Sequence, residues 1–410
     1  MKQIMIMKRI IIVSSFLLGI TLTNCTSEEE MTSNNERKDI SITRSEESLV
    51  HQNNDFSFRL LRTVQGEESR ILSPLSVTMV LGMLNNGATG ETQQQINEVL
   101  GFGDTGIEAV NGFCRKLLTE APGLDRKVKL QMANNIYVNQ PYKLLPDFIK
   151  SAQDYYDATP ETLNFRDDKT LSIINDWGKN HTNGIIPQIL DQLDASAVSY
   201  LLSAVYFNGM WKDKFSKSET KKEAFVGIKG HHFVQMMHRD ADYDYTENEY
   251  LQALGMPYGN GAFSMTVLLP RQNETLSDML QKLDGEEWAE IQSFLKETSV
   301  DVKMPTFEVT TDVDLVDVMS KLGMPKAFSS FAEFTGFCTE PTYISKMKQS
   351  SRIKVDEEGT EAVSATVVVP GDYECINPNR AEFYATRPFI YVISEKSTGA
   401  IFFIGSYMGD

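Results

Sequence analysis

An α+β fold is expected of this chain. Apolar residues at helical spacing dominate its front half and β-rich runs its back half, which favours segregated helices and strands over a βαβ repeat. From His51 to Asp410 the 410-residue sequence is also dense, with no linker, internal repeat or low-complexity break to divide it. At 41% hydrophobic and 23% charged residues it has ordinary globular composition and ample length for a large core.

Residues 1–24 read as a targeting segment. Lys2, Lys8 and Arg9 precede an apolar run from Ile10 to Leu22 that is too short to span a bilayer comfortably and suits a signal h-region. Asn24-Cys25 follows. A Cys in that place resembles the lipobox of bacterial lipoproteins, where the thiol is acylated and the chain is cut before it, although a small residue is usual where Asn24 stands. The alternative is a plain secretory signal. Ser27-Glu28-Glu29-Glu30 resembles the surface-export signal of lipoproteins in Bacteroides-like bacteria. Residues 25–50 lack aromatics and read as a flexible acidic tether. The expectation is an exported protein held in the bacterial outer membrane by a lipid on Cys25, facing the periplasm or the outside.

The dense region resolves into elements. "NDFSFRLLRTVQ" spaces Phe56, Leu60 and Leu61 as a helix, "SPLSVTMVLGMLNNGA" opens on Ser73-Pro74 as a buried helix, and "GETQQQINEVLGF" is a third. "KLQMANNIYVN" alternates as a strand. "DLVDVMSKLGMPKAF" is expected to be an amphipathic helix over 314–328. The runs 382–395 and 400–408, joined by Lys396-Ser397-Thr398-Gly399, are expected to pair as a hairpin.

Net charge is −17, which argues against nucleic acid as a partner. The basic pairs Arg115-Lys116 and Arg126-Lys127 read as a solvated helix face. Cys114, Cys338 and Cys375 are too few and scattered for a disulfide framework, with the first two expected to be buried and Cys375 exposed. No nucleophile elbow, zinc-protease, Walker or C-x-x-C motif is present. The single pair His231-His232 would point to opposite faces of a strand, so no metal and no cofactor is expected.

Six segments in order resemble the serpin family: "LSPLSVTMVLGMLNNGATGET", "ANNIYV" with "SAVYFNGMWKDKF", "GMPYGNGAFSMTVLLP", "LGMPKAFSSFAEFTG", "VDEEGTEAVSAT" and "RPFIYVISEKSTGAIFFIG". The resemblance covers nearly everything after residue 50, so the domain is placed at 51–410. It implies a serpin fold, with helices around a large mixed main sheet, smaller sheets and an exposed reactive-centre loop at about 357–385. It also implies a monomeric protease inhibitor, not an enzyme, that acts as a suicide substrate. Its partner would be a serine protease of chymotrypsin-like or elastase-like type, or a cysteine protease. The alternative is a non-inhibitory member used for binding or scaffolding.

Position by position, Ser73, Pro74 and Ser76 match the family's shutter, and Trp211 its breach tryptophan. Ser203 stands where Asn is frequent and Gln349 where His is frequent, which implies a rewired polar network. Glu357, Glu358, Gly359, Thr360, Glu361, Ala362, Val363, Ser364, Ala365 and Thr366 match the loop hinge. Small residues suit entry between packed strands, and Thr366 to Val369 are β-formers. With Thr360 inward, Ala362, Ser364, Thr366 and Val368 are inward too, while Glu361 and Val363 face out. Hinge spacing places the reactive bond between Tyr373 and Glu374. Counting back from Pro388 points nearer Asn377, and Cys375 is a further alternative. Arg380 would suit trypsin but lies close to the next strand.

Overall fold

The computed structural model describes residues 35–103, 105–360 and 380–409. Its first helix, α1 (Arg44–Val64), opens on a reciprocal cap: Thr43 Oγ1 accepts the Glu46 N–H at 3.3 Å and the Glu46 carboxylate accepts the Thr43 N–H at 2.7 Å. Ahead of it Ile40 is buried and donates its N–H to Ser397 Oγ at 2.9 Å. The folded region therefore begins before His51, and the expected tether is shorter than 25–50. Its polar composition concealed a Thr-x-x-Glu start signal.

The remaining elements, in chain order, are β1 (Arg70–Leu72), α2 (Pro74–Asn85), α3 (Gly90–Leu100), α4 (Ile107–Glu120), β2 (Val128–Asn139), α5 (Pro146–Tyr156), β3 (Glu161–Leu163), α6 (Asp168–His181), β4 (Ser199–Met210), β5 (Lys221–Gly227), β6 (Gly230–Glu247), β7 (Leu251–Pro257), β8 (Phe263–Pro270), α7 (Leu276–Lys282), α8 (Gly285–Phe294), β9 (Lys296–Pro305), β10 (Phe307–Asp314), α9 (Val316–Leu322), β11 (Lys346–Asp356), β12 (Gly359–Thr360), β13 (Ala381–Tyr384), β14 (Phe389–Glu395) and β15 (Ile401–Tyr407). This is the expected α+β architecture, with two corrections. The helix expected over 314–328 shrinks to Val316–Leu322, because Phe307–Asp314 pairs along β11 and Gly323 and Pro325 end the turn. The run 382–395 is two strands, since Arg387-Pro388 breaks it: β13 lies at one end of a sheet and β14 in its middle.

Among the described residues one sheet has nine strands, in the order β1-β15-β14-β8-β7-β6-β9-β13 with β5 also on β6. The other has six, β10-β11-β12-β4-β2-β3. Every residue of α2 is buried, which fits its all-round apolar sequence. It packs against β2 and β4 of the six-stranded sheet and against β15 of the nine-stranded one, so the core lies between the sheets. On the six-stranded sheet's other face Tyr200, Leu202 and Ala204 form a second cluster with Ile174 and Trp177 of α6. The turn of the β14–β15 hairpin is tied to α1, where Asn54 Nδ2 donates to Gly399 O at 2.9 Å and Asn54 Oδ1 accepts the Ile401 N–H at 2.9 Å.

Candidate functional site

The six-stranded sheet is split along its length. In its lower half β4 and β11 pair directly and in parallel, from Lys346 against Tyr200 to Ser351 against Val205. In its upper half they part, and β12 lies between them, antiparallel to both. Gly359 faces Met210 and Asp356, and Thr360 faces Gly209 and Val355. The chain reverses at Glu357-Glu358 to reach this seat. Gly359 is needed there: its φ is +150°, and a Cβ would stand 2.1 Å from the Gly209 carbonyl oxygen.

Thr360 has no exposed surface, and its hydroxyl shares a 2.6 Å hydrogen bond with the buried Tyr258 hydroxyl. Tyr258 stacks on Trp211, with ring centroids 4.5 Å apart and planes 12° from parallel. Trp211 then holds the turn, its Nε1–H donating to Asp356 O and its backbone N–H to Glu358 O, both at 2.9 Å. Phe215 N–H reaches Glu357 O at 3.0 Å, and Thr220 Oγ1 donates to Glu357 Oε1 at 2.6 Å. The nearly buried Glu358 carboxylate pairs with Lys214 at 2.8 Å and Lys217 at 3.3 Å. Burial alone would raise its pKa, but the two ammonium groups outweigh burial and hold it below the ordinary value.

Below the seat lies the polar network that the serine, glutamine and proline positions pointed to. Gln349 faces Ser203 across the β11–β4 pairing. Its side-chain amide clamps the backbone of Ser73, with Oε1 accepting the N–H at 3.0 Å and Nε2 donating to the carbonyl at 2.9 Å. Ser73 Oγ donates to Phe402 O at 2.8 Å and caps α2, with Pro74 at its first position. Ser76 Oγ donates to Asn134 Oδ1 at 2.9 Å and shares a 2.8 Å bond with Ser203 Oγ. The side-chain amide of Gln349 thus serves as acceptor and donor to the two backbone groups of one residue. Gln349→Ala would leave the buried Ser73 N–H without a partner, at roughly 1–3 kcal/mol, while the Ser73 carbonyl keeps the Val77 N–H at 3.2 Å. The expected result is a melting point lower by a few degrees, measured by calorimetry.

Of the expected site residues, the structure brings together Ser73, Pro74, Ser76, Ser203 and Gln349 in one cluster, and Trp211, Glu357, Glu358, Gly359 and Thr360 in another. Cys25, Glu361, Ala362, Val363, Ser364, Ala365, Thr366, Tyr373, Glu374, Cys375 and Asn377 lie outside the described residues. Asn134, Tyr258, Lys214, Lys217 and Thr220 were missed. Asn134 and Tyr258 sit inside the quoted "ANNIYV" and "GMPYGNG" segments, yet only tertiary pairing shows what they touch. Arg126-Lys127 precedes β2 and is not on a helix, while Lys116 of α4 pairs with Glu46 at 2.6 Å. Arg380 is engaged: its guanidinium pairs with Asp240 and, at 2.8 Å, with Asp301, which also accepts the Tyr384 hydroxyl at 2.8 Å. Cys114 and Cys338 are buried free thiols, each pushed up to about 12 by burial, and so unsuited to act as nucleophiles.

Residues 51–409 match the family model described as Serpin (serine protease inhibitor). The chain is similar to Serpin B3 of Homo sapiens, 31% identical over 387 residues that cover 88% of this chain and 99% of that one. It is similar to leukocyte elastase inhibitor A of Rattus norvegicus, 30% identical and covering 88% and 98%. Among solved structures it resembles the thermophilic serpin tengpin in its native state, with a TM-score of 0.85 and 29% identity over 92% of this chain and 97% of that one.

Proposed function

The chain belongs to the serpin family, whose members are mostly protease inhibitors and not enzymes, and from that premise we propose that it is a suicide-substrate inhibitor of serine endopeptidases. The observation that carries the proposal is β12: two hinge residues already occupy the top of a strand slot between β4 and β11, and the sequence that follows can fill the rest. Reactive-loop insertion is this family's own established case of strand addition and of released strain.

The protease serine attacks the Tyr373 carbonyl, the bond to Glu374 breaks, and Glu374 leaves as a new amino terminus. The acyl-enzyme is then carried along as the loop enters. Continuing the register of Gly359 against Met210 sets Ala362 against Phe207, Ser364 against Val205, Thr366 against Ser203 and Val368 against Leu201. Phe207, Val205 and Leu201 belong to the main core, so the small and β-branched residues enter facing inward. Pro370 falls against Ser199, where β4 begins. The inserted strand and the slot therefore agree in length.

Tyr373 offers an aromatic side chain to a hydrophobic specificity pocket of chymotrypsin type. Mixing the protein with chymotrypsin is expected to give a complex that survives SDS, and denaturing it should release a C-terminal fragment that begins at Glu374. A fragment beginning at Ile376 or Pro378 would move the bond to Cys375 or Asn377. Cleavage without a complex would mark a member used for binding alone. The h-region, Cys25 and the acidic tract support an address in the bacterial envelope, where such an inhibitor would guard the cell against outside proteases. Palmitate labelling that is lost in Cys25→Ser would test the anchor.

A further inference from the structure

A cavity of about 600 Å³ lies between the end of α1, the β5–β6 turn, the start of α7 and the segment leading into β14. It is preformed: Val226 N–H donates to Thr386 O at 2.8 Å and Ile228 N–H to Met408 O at 3.3 Å, which fixes the turn against the other walls. Its lining includes Leu276, Leu280, Pro388 and Met408. At its rim Val226 and Ile228 are 45% and 47% exposed, large apolar side chains that packing leaves uncovered.

Two arginines line the same space, Arg62 and Arg387. Their hydrogen bonds run to backbone oxygens: Arg62 Nη1 to Gln281 O at 3.3 Å, and Arg387 Nε and Nη2 to Pro270 O at 3.1 and 2.5 Å. Among the described residues no carboxylate lies within ion-pair distance of either guanidinium, although the chain carries 56 acids. Glu274, also in the wall, is paired with Lys282 at 2.9 Å. Burial and the neighbouring Arg271 lower the Arg387 pKa, as expected of a guanidinium lacking a counter-charge. The larger cavity beyond Arg387 differs: it is lined by Glu247, Glu249 and Glu382, and its Arg271 is paired with Glu247 at 3.2 Å.

A half-buried cation without a counterion in an apolar-walled cavity is electrostatically incomplete, and an anion with a hydrocarbon body completes both halves. The volume is in the range of small-molecule sites. We propose that this cavity binds an amphipathic anion, an aliphatic carboxylate whose head group pairs with Arg387 and Arg62 and whose chain lies against Leu276, Leu280 and Met408. Its occupancy is independent of protease trapping.

Isothermal titration of the folded protein with laurate, below micelle-forming concentration, tests this. One saturable site is expected. Dodecyltrimethylammonium, with the same chain and opposite charge, should not compete for it. Arg62→Gln and Arg387→Gln should each weaken laurate binding by about tenfold or more, the value of a charge-assisted hydrogen bond. Because Arg387 also braces Pro270, Arg62→Gln is the decisive variant, with its melting point measured alongside to show that it is folded. No saturable binding, equal binding to folded Arg62→Gln, or displacement of laurate by the cation would overturn the proposal. So would preference for a short acidic peptide over laurate.

Discussion

Cleavage between Tyr373 and Glu374 is expected to raise the thermal midpoint by tens of degrees. Before cleavage, among the described residues, Gly359 and Thr360 lie in the slot between β4 and β11. Afterwards the strand from Gly359 to about Pro370 is free to fill it. Roughly ten newly paired residues, at about 1 kcal/mol net for each hydrogen bond, add on the order of 10 kcal/mol. Burial of Ala362, Val368 and their neighbours adds more. At roughly 2 °C per kcal/mol for a domain of this size, the shift is in the tens of degrees. The uncut form persists because entry must part six facing pairs of β4 and β11, the Gln349–Ser203 contact among them, beneath α6. Calorimetry before and after limited proteolysis measures the difference. An unchanged midpoint would mean that the loop does not enter.

Thr360→Arg is expected to abolish protease trapping while leaving the loop cleavable. Thr360 is fully buried against Tyr258, beneath the Trp211 stack, where an arginine has neither room nor a carboxylate. A buried unpaired guanidinium costs several kcal/mol, enough to keep the hinge out of the seat and to let the acyl-enzyme hydrolyse first. The measurement is the number of inhibitor molecules consumed per protease molecule trapped, which should rise by at least an order of magnitude as intact complex gives way to cleaved chain. Thr360→Ser, which keeps the hydroxyl for Tyr258, should trap normally. Full trapping by the arginine variant would show that the seat seen here is not on the path of entry.

Much of this was legible in the sequence, and the limits are physical. Helix α2 announces itself through Ser73-Pro74 and an apolar run, and the hinge through glycine, small residues and the absence of charge after Glu361. Helix α1 was begun too late because a capping box in a polar stretch looks like tether. The 314–328 helix was overdrawn because Asp312 to Asp314 gain more from pairing with β11 than from joining a turn. Ser203 and Gln349 could be marked by position, but that Gln349 clamps both backbone groups of Ser73, 276 residues away, follows only from the fold. The Lys214–Glu358 pair and the Tyr258–Thr360 bond are likewise contacts between distant segments that no local pattern encodes. Thr360, the inward residue from which the alternation is counted, is buried.

The last strands in the chain, β14 and β15, are interior strands of the nine-stranded sheet, between β1 and β8, and their turn is fastened to α1 by bonds spanning 345 and 347 residues. Time therefore enters the fold. Until β14 and β15 have been synthesised, β1 lacks the strand it pairs with, β8 has only β7, and α2 lacks one of the two sheets it packs against. The nine-stranded sheet of a nascent chain is therefore completed late, through contacts of the highest sequence separation. The hinge and the sequence after it are made before the strands that complete the core. On the proposed mechanism, β4 and β11 have to pair with each other before the loop enters between them, so the useful form would be set by the order of folding events and not by which arrangement is lowest in free energy.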